Sequence, residues 1–232
     1  MPSVCAVRYT NLSLTYSPVI TSRRPMIFRE LLSQPFRIIY RHGVVVCMVV
    51  LIILAATVYP SDMKNDYGIS KGGHERPVVV AFEDYGRHIN TLLPFVLALI
   101  LKDKEGWKQL GIITVVGILA SHGPKRVLND VEIMGTRLGQ RPNSTTSKHN
   151  MPSGHSTLAG ACAYFVMRRY SIWFGAIVIP VLLFTMYARV MLDKHTISAT
   201  IAGAGTGLLV AALFSTKLSS FRSQIARFFG VK

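Results

Sequence analysis

The feature that most constrains the fold of this chain is a series of long apolar runs. The first of them, residues 43–59, carries no charged side chain and is rich in Val, Leu and Ile. Half of the 232 residues are hydrophobic and only 16% are charged, and the apolar residues cluster in runs instead of following an amphipathic period. This profile is typical of a protein that crosses a membrane several times.

Six apolar runs predict an all-α fold, a bundle of six transmembrane helices. The runs cover residues 43–59, 85–101, 107–122, 156–167, 172–187 and 196–214. Several are shorter than the roughly 20 residues that cross a bilayer, so the helices should continue past these limits by a turn or more. Residues 28–41 are basic and amphipathic. We expect a surface N-terminal helix there, with a solvated helix that leads into the first span as the alternative.

The first 25 residues contain Ser, Thr, Pro and the pair Arg23-Arg24, but no apolar core of the length that a signal peptide requires. We interpret residues 1–25 as a disordered leader, with Met26 as an alternative start. Residues 26–232 then form a single membrane-embedded domain.

The distribution of Lys and Arg between the loops predicts how the chain lies in the membrane. With six spans, one side holds 15 basic and three acidic residues, and the other side holds 11 basic and eight acidic residues. The more basic side carries both termini and is expected in the cytoplasm. The formal net charge of +15 comes with no nucleic-acid motif, so the expected partner is anionic phospholipid and not nucleic acid.

Residues suited to phosphate chemistry fall on the opposite, outward side, in two loops that span residues 122–155 and 188–195. They are Lys125, Arg141, Ser153, Gly154, His155, Arg189 and His195. Arginine binds phosphate oxygens bidentately and keeps its charge at any relevant pH. Ser153 and Gly154 precede an apolar helix, whose first N–H groups can hold an anion. Histidine, with a pKa of about 6.5, can serve either as a neutral nucleophile or as a protonated acid.

A metal site is the less favoured interpretation of these residues. Asp193 and His195 could bind a metal ion together with His155, but one carboxylate and two imidazoles make a poor site beside so many cations. We therefore expect neither a metal nor a cofactor.

Three sequence elements resemble the type 2 phosphatidic acid phosphatase superfamily, whose pattern is Lys-x6-Arg-Pro, Pro-Ser-Gly-His and Ser-Arg-x5-His-x3-Asp. The second element is complete as residues 152–155. Arg189 and His195 match the third element with the spacing of the superfamily. Ala188 and Ala199 stand where the superfamily has its serine and its aspartate.

The first element is matched at Arg141-Pro142, but Met134 occupies the position of the superfamily's lysine. Lys125 takes the place of that lysine if about nine residues are inserted before Arg141. The resemblance extends over roughly residues 124–214.

The resemblance implies a role for each matched residue. His195 would attack phosphorus to give a phosphohistidine, and His155 would protonate the departing oxygen as general acid. The phosphate-binding residues would be Lys125, Arg141, Ser153, Gly154 and Arg189.

One role of the superfamily has no matching residue, because Ala199 replaces the aspartate that orients the nucleophilic histidine. We expect Asp193, on the preceding loop, to orient His195 instead, since a carboxylate both orients the ring and stabilises the positive charge that the ring gains. Ser198, a backbone carbonyl or water are the alternatives.

Longer stretches of the sequence are similar to the bacterial lipid A 1-phosphatases. They are residues 125–126, 137–142, 150–156, 167–171, 188–189 and 192–197. This resemblance implies removal of the 1-phosphate of lipid A at the periplasmic face of the bacterial inner membrane. The alternatives are a phosphatase or phosphotransferase that acts on another lipid phosphate, such as undecaprenyl pyrophosphate or phosphatidylglycerol phosphate, and a non-catalytic lipid-phosphate binding protein.

Overall fold

The computed structural model describes residues 28–218 and residue 221. Within that part of the chain, six helices of more than ten residues and one short helix form the fold. Their bounds are α1 Phe28–Val58, α2 Pro77–Ala81, α3 His88–Ile100, α4 Lys104–Val127, α5 Gly154–Arg169, α6 Gly175–Met191 and α7 Ile197–Phe214. Two strands of two residues each, β1 Glu132–Ile133 and β2 Thr136–Arg137, pair antiparallel. Apart from this small hairpin, the predicted all-α class is confirmed.

Three helical segments of the described chain are long and apolar enough to cross a membrane. They are Arg29–Val58, Ile172–Met191 and Ile197–Phe214. These segments correspond to the first, fifth and sixth predicted spans, while the other three spans stay a prediction. Helices α4 and α6 continue past their predicted limits, as the shortness of the apolar runs required.

Helix α1 is broken at His42, where φ is −127° and ψ is 30°. The break separates the basic residues 28–41 from the apolar run that follows, and the position of this basic part on the membrane surface stays a prediction. Helix α1 packs mainly against α7 and leaves large apolar side chains such as Val44 and Leu51 exposed. Apolar surface of this extent requires lipid or protein around it. The proposed leader, residues 1–25, lies outside the described residues.

The closest helix packing in the bundle lies between α5 and α7. A Cβ atom at Gly203 would overlap the carbonyl oxygen of Ser153, and one at Gly207 would overlap that of Thr157. Small residues four apart let two helix backbones approach each other. These glycines therefore allow close helix packing, which fixes the start of α5 against the start of α7.

A buried ion pair secures the other end of the bundle. Arg169, at the end of α5, donates through Nε and Nη2 to the two carboxylate oxygens of Asp103, each at 2.5 Å. Asp103 also caps α4, since its side chain accepts from the N–H of Gly106 at 3.0 Å. Arg169 reaches the chain beyond α7 as well, through the carbonyl oxygen of Thr216 at 3.1 Å. A bidentate, fully hydrogen-bonded pair of this kind holds three segments in fixed register.

Candidate active site

One cavity of about 380 Å³ brings most of the predicted site residues together. Its polar end is lined by Lys125, Arg141, Gly154, His155, Arg189 and His195. Its apolar end lies between α3, α4 and α5 and is lined by Phe95, Leu110, Ile113, Gly117, Ile118, Leu158 and Ala161, among others. The cavity therefore continues from a group of cations and histidines into a space suited to a hydrocarbon chain.

Four helix ends place these residues at one end of the bundle. Lys125 and Arg189 lie in the last turns of α4 and α6, whereas His155 lies in the first turn of α5. His195 comes two residues before α7. Lys125, Arg189 and His195 are all buried, and His195 is only 1% exposed. Lys125 and Arg189 carry their charges away from solvent, which favours an anion as the ligand of this site.

The His195 ring is held by Asn150, two residues before the Pro-Ser-Gly-His segment. Nδ1 of His195 lies 2.9 Å from the backbone carbonyl oxygen of Asn150. The Asn150 side chain also holds Thr196, the residue after His195. Its Oδ1 accepts from the N–H of Thr196 at 3.1 Å, and its Nδ2 donates to the Thr196 hydroxyl at 3.3 Å. A carbonyl oxygen can only accept, so Nδ1 carries the proton and Nε2 keeps its lone pair.

The expectation that Asp193 orients His195 is wrong. The Asp193 carboxylate accepts from the hydroxyl of Ser70 at 2.6 Å and lies 3.3 Å from the backbone N–H of Lys71. It therefore ties the turn before His195 to the loop between α1 and α2, and the ring takes its orientation from a backbone carbonyl. Ala199, at the position of the superfamily's aspartate, is fully buried, and its carbonyl oxygen accepts from the N–H of Ser153 at 2.9 Å.

Ser153 and Gly154 have different roles in the structure. Ser153 is fully buried, and its side chain caps α5 by accepting from Ser156. The N–H of Ser153 donates to the carbonyl oxygen of Ala199. The direct phosphate contact expected of Ser153 is therefore corrected: the residue holds α5 and α7 together. Gly154 lines the cavity, and a Cβ atom there would lie 3.4 Å from Nζ of Lys125.

The additional residues between Lys125 and Arg141 form the β1–β2 hairpin. Met134, which occupies the lysine position by simple counting, lies in the hairpin turn with a φ of 50° and is 85% exposed. Lys125 instead lines the cavity beside Gly154. The hairpin thus accounts for the unusual spacing of the first sequence element.

Three charged residues of the site were not assigned from the sequence: Glu83, Arg87 and Lys194. Glu83 lies in a π-helical turn, Phe82–Gly86, and is 6% exposed. Its Oε1 accepts from Arg189, and it lies 2.9 Å from Nη1 of Arg87 and 3.5 Å from Nζ of Lys194. The sequence did carry a signal for Glu83 and Arg87, because an ionisable pair four residues apart at the start of an apolar run marks a functional site by default.

Arg87 also contacts the second histidine. Its Nη1 lies 2.8 Å from Nε2 of His155. Since a guanidinium can only donate, His155 accepts through Nε2 and is neutral in this arrangement. Burial, followed by the charges of Arg189, Arg87, Lys125 and Lys194, lowers the pKa of His155 to about 3. His155 precedes residues 156–167, the fourth apolar run, so it lies outside that predicted span.

The pKa of His195 is lowered well below its usual value, first by burial and then by the charges of Arg189, Arg141 and Lys125. The hydrogen bond to Asn150 acts in the opposite direction. His195 is therefore neutral near pH 7, which is the state that a nucleophile needs.

Unused hydrogen-bond donors show where an anion can bind. The buried Nε atoms of Arg87, Arg141 and Arg189 have no hydrogen-bond partner among the described residues. Arg141 and Arg189 line the cavity, and Arg87 contacts His155 beside it. Buried polar groups are rarely left without a partner, so these donors indicate a ligand with several acceptor oxygens. In the same part of the chain, no group of three or more His, Cys, Asp or Glu residues is arranged to hold a metal ion.

Comparisons with known proteins agree with the chemistry of the cavity. Residues 110–222 match the PAP2 superfamily. The chain is 41% identical over 141 residues to the lipid A 1-phosphatase of Helicobacter pylori strain J99, which covers 60% of this chain and 73% of that protein. It is 31% identical over 140 residues to the lipid A 4'-phosphatase of the same strain, covering 58% of this chain and 70% of that protein. No solved structure matches the chain.

Proposed function

The chain belongs to the PAP2 superfamily of lipid phosphatases, and from this premise we propose that it removes the 1-phosphate of lipid A. It is a phosphoric monoester hydrolase, as its relatives are. The preference for lipid A and for its 1-position is the proposal. It is supported by two relatives from different Helicobacter pylori strains, each 41% identical to this chain and each a lipid A 1-phosphatase.

The observation that carries the proposal is the shape of the cavity. Cations and histidines line one end, and apolar residues of α3, α4 and α5 line the other. A phosphorylated headgroup with acyl chains close to the phosphate fits this arrangement, since its phosphate meets the cations while hydrocarbon fills the apolar end. A water-soluble phosphate ester would leave the apolar end without a partner.

In the proposed reaction, Nε2 of His195 attacks phosphorus while Nδ1 donates its hydrogen bond to the Asn150 carbonyl oxygen. The bond between phosphorus and the lipid oxygen breaks, and that oxygen takes a proton from His155. The products are a phosphohistidine and the dephosphorylated lipid. Lys125, Arg141 and Arg189 stabilise the charge that develops on the phosphoryl oxygens.

The second step returns the enzyme to its starting state. Neutral His155 accepts a proton from water, and the water oxygen attacks phosphorus. The bond between phosphorus and Nε2 of His195 then breaks, releasing inorganic phosphate. His155 is then protonated while phosphate is still bound, as it was before the first step.

His155 must gain a proton to act as an acid, although its surroundings favour the neutral ring. The main cause besides burial is the charge of the surrounding cations. A phosphate dianion bound among those cations opposes their effect, because an opposite charge close by favours the imidazolium. Substrate binding therefore supplies the condition under which His155 carries its proton.

We further propose that the chain is a six-span protein of the bacterial inner membrane, with its active site facing the periplasm. The support is the excess of Lys and Arg on the side that holds both termini. All cavity residues that bear on phosphate chemistry come from the opposite side of the predicted spans. Lipid A in the outer leaflet would reach the site from the membrane.

The test is to incubate the purified protein with bisphosphorylated lipid A and to locate the lost phosphate by mass spectrometry. We expect loss of the 1-phosphate with release of inorganic phosphate. His195→Ala should lower the rate about a thousandfold or more, and His155→Ala about a hundredfold or more. His74→Ala, an exposed histidine outside the cavity, is the matched control and should leave the rate unchanged.

Each alternative gives a different result. Loss of the 4'-phosphate would favour the activity of the 31% identical relative. If the protein dephosphorylates another lipid phosphate and leaves lipid A intact, it is a lipid phosphatase, but lipid A is not its substrate. Substantial activity in His195→Ala would reject the assigned nucleophile, and inhibition by EDTA that a divalent ion reverses would show that cationic side chains alone do not suffice.

A further inference from the structure

Arg87 contacts His155, a residue of the cavity wall, and no element of the superfamily pattern assigns it. It comes from the turn that joins the π-helical segment to α3, before the region that matches the superfamily. We propose that Arg87 is a third phosphate-binding arginine of this site, and that it leaves Nε2 of His155 for a phosphate oxygen when the substrate binds. This inference rests on the proposed phosphatase function.

The contacts of Arg87 leave most of its donors free for a ligand. Both of its hydrogen bonds within the described chain use Nη1, to Glu83 at 2.9 Å and to His155 at 2.8 Å. Its Nε is buried and has no partner there, a property that it shares with Arg141 and Arg189. The Arg87 side chain is 26% exposed and can therefore change its conformation. Three arginines with the same unused atom match the several acceptor oxygens of a phosphate.

The chemistry of His155 requires Arg87 to move. In the structure, Nε2 of His155 accepts from the guanidinium. Once His155 is protonated, both groups are cationic donors, and neither can accept from the other. Arg87 must then find another acceptor, and the phosphate that enters the cavity offers one. The departure of Arg87 and the protonation of His155 are thus parts of one exchange.

Glu83 keeps Arg87 within reach of the site throughout this exchange. The two residues are one helical turn apart, and Glu83 also accepts from Arg189. One carboxylate therefore fixes the positions of a superfamily arginine and of Arg87 together. A purely structural role, in which Arg87 only neutralises Glu83, makes a different prediction, because it gives Arg87 no contact with phosphate.

The experiment measures the binding of inorganic phosphate to the purified full chain, from the saturable rise in melting temperature as phosphate is added. Arg87→Gln should weaken the apparent affinity about tenfold or more, since it removes a charge-assisted contact. Arg87→Lys, which keeps the charge but loses the bidentate hydrogen bonding of the guanidinium, should weaken the affinity less. Arg76→Gln is the matched control, because Arg76 is exposed and donates to Tyr187.

An apparent affinity that stays unchanged in both Arg87 variants would overturn the proposal, even if turnover falls, since that is the result of a structural role. Failure of phosphate to stabilise the unaltered protein would overturn it as well. If Arg87→Gln does not fold, Arg87→Lys decides the question by the same measurement. The readout does not depend on which lipid is the substrate, so a wrong choice of lipid A would leave this result standing.

Discussion

At the scale of single residues, the environment of His195 decides how the site can react. The ring is fully buried, and it is surrounded by cations that disfavour a charge on it. The Asn150 carbonyl oxygen holds Nδ1 in its protonated form. In the proposed reaction, a neutral ring with a fixed tautomer and a free Nε2 attacks phosphorus without any prior loss of a proton.

The lowered pKa of His195 gives a pH prediction. Because the neutral form is the one favoured by the fold, His195 should stay neutral as the pH falls from 8 to 6 and gain its proton only below the usual histidine range. Nitrogen NMR of the histidine-labelled protein without phosphate measures this, with His195→Gln to assign the signal. A titration midpoint near the ordinary value would contradict the described environment.

The sequence predicted most of the charged and histidine residues that line the cavity and missed the groups that support them. His155, Arg141, Arg189 and His195 follow from their spacing, and Lys125 follows once an insertion is allowed. The orienter could not be predicted in this way, because a backbone carbonyl leaves no residue type to recognise. Glu83 and Arg87 were missed because they lie outside the matched elements, although a charge in an apolar run is itself a signal of function.

At the scale of elements, the site depends on the junction between the segment before α5 and the start of α7. Asn150 holds Thr196 through both atoms of its amide, and Ser153 donates to the Ala199 carbonyl oxygen. The absence of side chains at Gly203 and Gly207 lets the two helices approach closely enough for these bonds to form. The junction therefore sets the position of His195 relative to the rest of the cavity.

Asn150→Ala should weaken this junction and displace His195, the proposed nucleophile. We expect kcat to fall about tenfold to a hundredfold with little change in KM, since a displacement of about 1 Å can have such an effect and Asn150 does not line the cavity. Asn65→Ala, an exposed asparagine of the α1–α2 loop, is the control. Steady-state kinetics on the lipid substrate check the prediction, and a rise in KM at constant kcat would contradict it.

Helix limits could be predicted from the sequence only approximately, and the reason is physical. An apolar run ends where charge begins, but a helix can continue through charged residues that point into a polar cavity. Helices α4 and α6 do so and include Lys125 and Arg189. The β1–β2 hairpin was not foreseen, since four strand residues and a turn carry too weak a pattern to recognise.

At the scale of the whole molecule, the two ends of the bundle are built differently. The end with the cavity gathers Arg87, Arg189 and Lys194 around the buried carboxylate of Glu83. The other end is closed by the paired charges of Arg169 and Asp103. An end with unused cationic donors is suited to binding, whereas an end with satisfied charges holds the helices in register.

The proposed orientation can be tested by cysteine labelling with a membrane-impermeant maleimide, in a background that lacks Cys5, Cys47 and Cys162. Met134→Cys, in the exposed hairpin turn, should react in cells whose outer membrane has been permeabilised. Arg168→Cys, exposed at the end of α5, should react only after lysis. Reaction of Arg168→Cys in intact spheroplasts, with Met134→Cys protected, would reverse the orientation.

The contact between His195 and the Asn150 carbonyl oxygen also bears on how such a site is inherited. All twenty amino acids carry this carbonyl group, so a point mutation does not delete the hydrogen-bond acceptor itself. What can remove it is a change in loop length, because one residue gained or lost before residue 150 shifts every carbonyl along the chain. Divergence in this lineage should therefore tolerate substitutions between residues 143 and 149 more readily than insertions or deletions there.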